Sequence, residues 1–201
     1  MKELREISMR ALVVMAAILA IGAGTVAADS LPNIPAAQRN AANRAKEFFE
    51  RGDYREAEKI YAAILSAAPN NLYILSNLGV VQFRSGKLKQ AADTLHQATT
   101  VAPNDPFSHY TLGIVYYSLA RIDDAIKSLK RAIELNPENA TAHNYLGLTY
   151  SAKGMQQEAA KELEIVRKLD PDQAMPNEPS KARQLDSPGP GYEAQKKAIR
   201  P

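Results

Sequence analysis

The sequence predicts an all-α protein, an array of four helix pairs, on three observations. Ala57, Ala91, Ala125 and Ala159 recur at one fixed step. Pro69, Pro103, Pro137 and Pro171 keep the same step. So do Gly79, Gly113 and Gly147, with Ala45 in the remaining slot. A small residue at a fixed period marks where two helices touch closely, and a periodic proline marks where each pair must stop. An array of this kind is generally a surface for partners rather than a catalyst.

In chain order, residues 1–28 come first and differ in kind. Lys2, Arg5 and Arg10 precede an apolar run from Ala11 to Ala23, which ends in the small residues Val26-Ala27-Ala28. That is the make-up of an export signal, with cleavage after Ala28 leaving Asp29 first. The rival reading is an uncleaved anchor, because the run through Ala28 reaches about 18 residues, the lower edge of a membrane span. Gly22, Gly24 and Thr25 dilute its end and favour cleavage. Residues 29–37 hold Pro32 and Pro35 and read as a linker.

Four units follow, at 38–71, 72–105, 106–139 and 140–173. Each contains two amphipathic stretches. In the third, Leu112, Val115, Tyr116 and Leu119 share one face, and Ile122, Ala125, Ile126, Leu129 and Ile133 share another. A tight turn separates the two at Gly52, Gly86, Ala120 or Gly154. Asn104-Asp105-Pro106 puts a capping side chain before a proline at the first helical position, a helix start. From 174 to 201 the chain is rich in proline and charge and is expected to be a disordered tail, with one helical turn near Ser180–Leu185.

Net charge is +3 over 201 residues, and acidic and basic residues are mixed along every unit. No nucleic-acid partner is expected from that balance. The chain has no cysteine, which excludes disulfides, thiolate metal sites and a lipid attached through cysteine. An exported chain of this composition rests on its packed core alone.

These motifs resemble the tetratricopeptide repeat family. Its consensus runs leucine–glycine, an aromatic three residues on, then small, large apolar and small residues in the second helix, and a closing proline. The third unit carries Leu112-Gly113, Tyr116, Ala125, Leu129, Ala132 and Pro137; the fourth carries Leu146-Gly147, Tyr150, Ala159, Leu163, Val166 and Pro171. The second departs at Gln82, where an aromatic is expected, and the first replaces leucine–glycine with Arg44-Ala45 but keeps Phe48, Gly52, Ala57, Tyr61 and Pro69. The resemblance covers 38–173. It implies an α-solenoid of helix-turn-helix repeats wound as a right-handed superhelix, with the first helices lining a concave groove that holds a peptide or helix of a partner protein.

Carried over by position, the groove-lining residues would be Asn43 and Phe49 with Arg39 and Lys46; Tyr73, Asn77 and Phe83 with Val80; Phe107, Tyr110, Ile114 and Tyr117; and Asn144 with Leu148 and Ser151. Aromatic side chains make good anchors, and asparagine amides can bond a peptide backbone. The competing reading is that these aromatics only complete packing between neighbouring first helices. Arg39, Asn43 and Asn77 also resemble part of the clamp with which chaperone-binding members grip a C-terminal carboxylate. Phe107 and Thr111 stand where that clamp needs cations, so the clamp is not adopted.

Three histidines raise the question of a metal. His109 and His143 occupy one position in adjacent units, where Leu75 stands in the second unit, and a packing role is expected for both; His96 reads as solvated. No phosphate-cradling glycine loop, nucleophile elbow or HExxH is present. Asn139-Ala140-Thr141 is a glycosylation sequon, with a helix cap as its simpler role. No catalytic residue, metal or cofactor is therefore expected. The sequence-based expectation is a non-enzymatic scaffold or adaptor in the bacterial periplasm, or secreted. A membrane-anchored assembly factor is the alternative if 11–28 are retained, and a hydrolase or metal enzyme stands behind both.

Overall fold

In the computed structural model, residues 36–170 are described. They form eight helices and, among the described residues, no strand. The helices are α1 (Ala36–Glu50), α2 (Tyr54–Ala67), α3 (Leu72–Arg84), α4 (Leu88–Val101), α5 (Pro106–Ser118), α6 (Ile122–Leu135), α7 (Ala140–Lys153) and α8 (Gln156–Leu169). They pack in tandem as four antiparallel pairs, each against the next, which makes an α-solenoid. Residues 1–28, read as an export signal or anchor, the expected disordered tail at 174–201 and Pro171 lie outside the described residues. The first helix begins at Ala36, inside the stretch read as linker, because two alanines after Pro35 are good helix formers.

Each pair turns the same way. Asp53, Lys87, Arg121 and Met155 donate their backbone N–H to the carbonyls five residues back, at Phe48, Gln82, Tyr116 and Tyr150. The residue before each donor is left-handed: φ is 84° at Gly52, 80° at Gly86, 57° at Ala120 and 86° at Gly154. This closure satisfies carbonyls that the helix end leaves open. It needs only the backbone at the aromatic slot, which is why Gln82 can stand there. Ala120 holds the same geometry against its Cβ.

Within a pair, the small slot lets the second helix approach. A Cβ built on Gly79 would meet Leu95 Cγ at 2.5 Å, and one on Gly113 would meet Leu129 Cγ at 2.6 Å. Between pairs, a short loop ends on a side-chain cap. Asn71 accepts from the Ile74 N–H at 3.1 Å, Asp105 from Ser108 at 2.8 Å, and Asn139 from Ala142 at 3.0 Å. Asp105 has Pro106 at the first helical position, as the sequence indicated. The Asn139 side chain acts as a cap.

Successive first helices also touch: α3 meets α5 and α5 meets α7, more closely than successive second helices meet. A buried Ser76–Ser108 hydroxyl pair at 3.0 Å bridges α3 and α5. The first helices therefore line the inner side of the array, and the seams between them decide what that side exposes.

Candidate functional site on the first helices

The first-helix face is built from every third or fourth residue of α1, α3, α5 and α7. The structure divides the proposed groove residues into two sets. Asn43 and Arg39 on α1 are exposed, and Lys46 is partly so. On α5 and α7, Phe107, Tyr117, Asn144 and Leu148 are partly exposed and Ser151 is exposed. These reach solvent.

The second set does not. Phe83 is 1% and Ile114 0% exposed; Val80, Tyr73, Asn77 and Tyr110 are also buried. They lie in the seams where α3 meets α5 and α5 meets α7. Leu148 holds the same position as Ile114 and stays half-exposed, because no first helix follows α7 among the described residues. The Asn77 amide is used internally, donating to the Tyr73 carbonyl at 2.7 Å, so it is not presented to a peptide. Phe49 is engaged as well. Its ring lies 5.6 Å from that of Tyr54, and the Arg84 guanidinium stacks on both, at 5.7 and 5.8 Å, and donates to the Tyr54 hydroxyl at 3.3 Å. That cluster ties the first unit to the end of α3.

The exposed set concentrates on the third and fourth units. Tyr117 packs edge-on against Tyr145 with centroids 6.3 Å apart. Beneath it, burial pushes the phenols of Tyr110 and Tyr145 far above their usual range, so both stay neutral at physiological pH. The surface offered here is aromatic and amide over a rigid apolar seam.

His109 and His143 serve packing. His143 is buried, with Nδ1 2.6 Å from the Glu162 carboxylate and Nε2 3.0 Å from the Pro137 carbonyl. His109 Nε2 lies 3.0 Å from the Pro103 carbonyl, and His96 is exposed. Sequence reasoning missed the tie from each of the first two histidines to the preceding closing proline, although their constant spacing from that proline signalled it. Among the described residues, no three metal-binding side chains converge, and no helix is long and apolar enough to cross a membrane.

A family model described as "Tetratricopeptide repeat" matches residues 48–112, and one described as "TPR repeat" matches residues 115–154. No curated protein matches the chain. Among solved structures, one MamA protein aligns with TM-score 0.64 at 27% identity, covering 67% of this chain and 73% of its own. MamA from Desulfovibrio magneticus RS-1 aligns with TM-score 0.63 at 24% identity, covering 68% and 77%. YrrB, described as a TPR protein with an unusual peptide-binding site, aligns with TM-score 0.62 at 23% identity, covering 68% and 70%.

Proposed function

The chain belongs to the tetratricopeptide repeat family, and from that premise we propose that it binds a peptide or helical segment of another exported protein on the first-helix face of its third and fourth units. Proteins of this family are typically non-enzymatic scaffolds that bind peptides of their partners, and this chain has the fold of such a scaffold. The observation that carries the finer reading is the division of the face. Phe107, Tyr117, Asn144, Leu148 and Ser151 reach solvent together on α5 and α7, while the equivalent positions of α3 are sealed. A partly exposed tyrosine such as Tyr117 is of the type enriched among binding hot spots. The description of YrrB as having a peptide-binding site is in keeping with a peptide ligand.

Export to the periplasm or beyond belongs to the same proposal and is supported by the charged, apolar and small-residue order of residues 1–28. Retention of that segment would make the protein a membrane-anchored assembly factor with the same binding face; the mass of the mature N-terminus separates the two. We assign the chain no catalytic role.

The test compares Tyr117→Ala and Ser151→Arg with Tyr110→Ala, each by affinity capture from the native source beside a thermal melt. Tyr117→Ala and Ser151→Arg are expected to lose captured partner while melting close to the parent, with about 2 kcal/mol or more of binding lost at an aromatic anchor. Tyr110→Ala, in the seam, is expected to melt earlier by about 3 kcal/mol in stability, the usual cost of truncating a buried aromatic. Undiminished capture by well-folded Tyr117→Ala and Ser151→Arg would refute the placement of the site.

A further inference from the structure

On the side of the first pair that faces away from the second, α1 and α2 leave an open groove of about 490 Å³, lined by Gln38, Ala41, Phe48, Ile60, Ala63 and Ile64 among others. The corresponding place is filled in each later unit. There the closing loop of the preceding unit lies across the pair, and a side chain holds its proline carbonyl. Gln97 Nε2 donates to the Pro69 carbonyl, and His109 and His143 place Nε2 against those of Pro103 and Pro137, all at 3.0 Å. Ala63 stands one repeat length before Gln97, and Ala41 stands at the position of His109 and His143. The first pair thus has alanine at both tying positions, and what is left there is open and mainly apolar.

We propose that residues 31–35 of this chain fill the groove and close the first pair, as the later closing loops close theirs. Register supports this first: Pro35 lies one repeat length before Pro69, and Leu31 the same length before Leu65. Leu65 and Ile133, at the position of Leu31, are partly buried against a core. Reach supports it next. The described chain begins at Ala36, just before Gln38, so the segment enters at the groove's edge. Five extended residues span at most ~17 Å, and the helical stretch from Gln38 to Phe48 measures about 15 Å.

Chemistry agrees with both. Leu31 and Ile34 supply the apolar surface that an untied groove needs. Gln38 Oε1 is buried without a hydrogen-bond partner among the described residues and requires a donor. The backbone N–H of Asn33 or Ile34 can supply one, which a proline cannot. A second copy is the competing occupant, and it lacks this tether at the groove's edge. The segment lies after Ala28, so it remains on the chain whether or not the export segment is removed.

The chain has no tryptophan, so a single one placed in the segment is a clean reporter. In the full chain, Leu31→Trp is expected to emit further to the blue than Lys127→Trp, on the exposed side of α6, and to be quenched less by acrylamide. Adding Ala63→Arg, at an exposed position whose change leaves the circular dichroism intact, is expected to return the reporter to the behaviour of Lys127→Trp. Ile34→Trp is read the same way, in case the indole is too bulky at Leu31. The proposal is overturned if both reporters are as exposed as Lys127→Trp, or if Ala63→Arg does not release a protected one. Protection found only at concentrations where sedimentation shows a dimer also overturns it and assigns the groove to a second copy.

Discussion

A Cβ on Gly113 would press into Leu129 at 2.6 Å, whereas one on Gly147 would meet nothing closer than 3.4 Å. One motif position therefore carries two different constraints. In the third pair the glycine is required by a close approach to a fully buried leucine. In the fourth, Leu163 stands farther off and is only half-buried, so the glycine is tolerated rather than required. Gly113→Ala is expected to destabilise by about 1–3 kcal/mol through overpacking. Gly147→Ala is expected to be neutral or to stabilise by about 0.5–1 kcal/mol, the ordinary helix gain of alanine over glycine. Denaturant melts of the two variants check the contrast, and equal losses would count against it. Ala120 shows the reverse case. It holds φ at 57° where three glycines hold the equivalent turn, so Ala120→Gly is expected to raise stability by about 0.5–1 kcal/mol. A lower denaturation midpoint would mean that the turn does not bear this strain.

At the scale of the element, burial on the first helices follows from position in the array more than from residue type. Phe83 and Tyr117 hold the same position in successive units, yet the first is sealed and the second half-exposed. The repeat period, the caps at Asp105 and Asn139 and the left-handed turn positions were legible in the sequence, because each rests on local backbone chemistry that a residue type reports. The exposed face was legible only in part. Which side chains lie in a seam depends on how closely neighbouring first helices approach. No residue of α5 encodes by itself that α7 will cover Ile114, or that Arg84 will occupy the rings of Phe49 and Tyr54. The seam has a chemical signature of its own. Burial raises the phenol pKa of Tyr110 and Tyr145 above the unfolded value of about 10. A group whose folded pKa is raised contributes stability that is whole below the unfolded pKa and is lost as pH rises towards the folded one. The melting temperature is thus expected to be insensitive to these tyrosines below about pH 10 and to fall above it. Ultraviolet titration should show a class of tyrosines ionising only with unfolding. Ionisation of all nine tyrosines together near the ordinary value, with the fold intact, would contradict the packing of α5 against α7.

At the scale of the whole molecule, the array is closed differently at its two ends. Ile126 and Ile133 on α6 pack against the core, while the same positions on α8 are Ala160 and Arg167, both exposed. The last described helix thus turns a more polar side outward, as a capping repeat does. The first pair has no such substitution and keeps an apolar groove. Between these ends, the first-helix side is sealed over α3 but partly open on α5 and α7, at Phe107, Tyr117, Asn144, Leu148 and Ser151, which is why the proposed binding face lies on the third and fourth units. The measurement that bears on that placement most directly is site-specific photo-crosslinking in the native source. A photoreactive residue would be set at Asn144 on the inner side or at Lys127 on the exposed side of α6, with the melt of each variant matched to the parent. A partner protein is expected to be trapped at Asn144 and not at Lys127; trapping at Lys127 with none at Asn144 would contradict a binding face on the first helices.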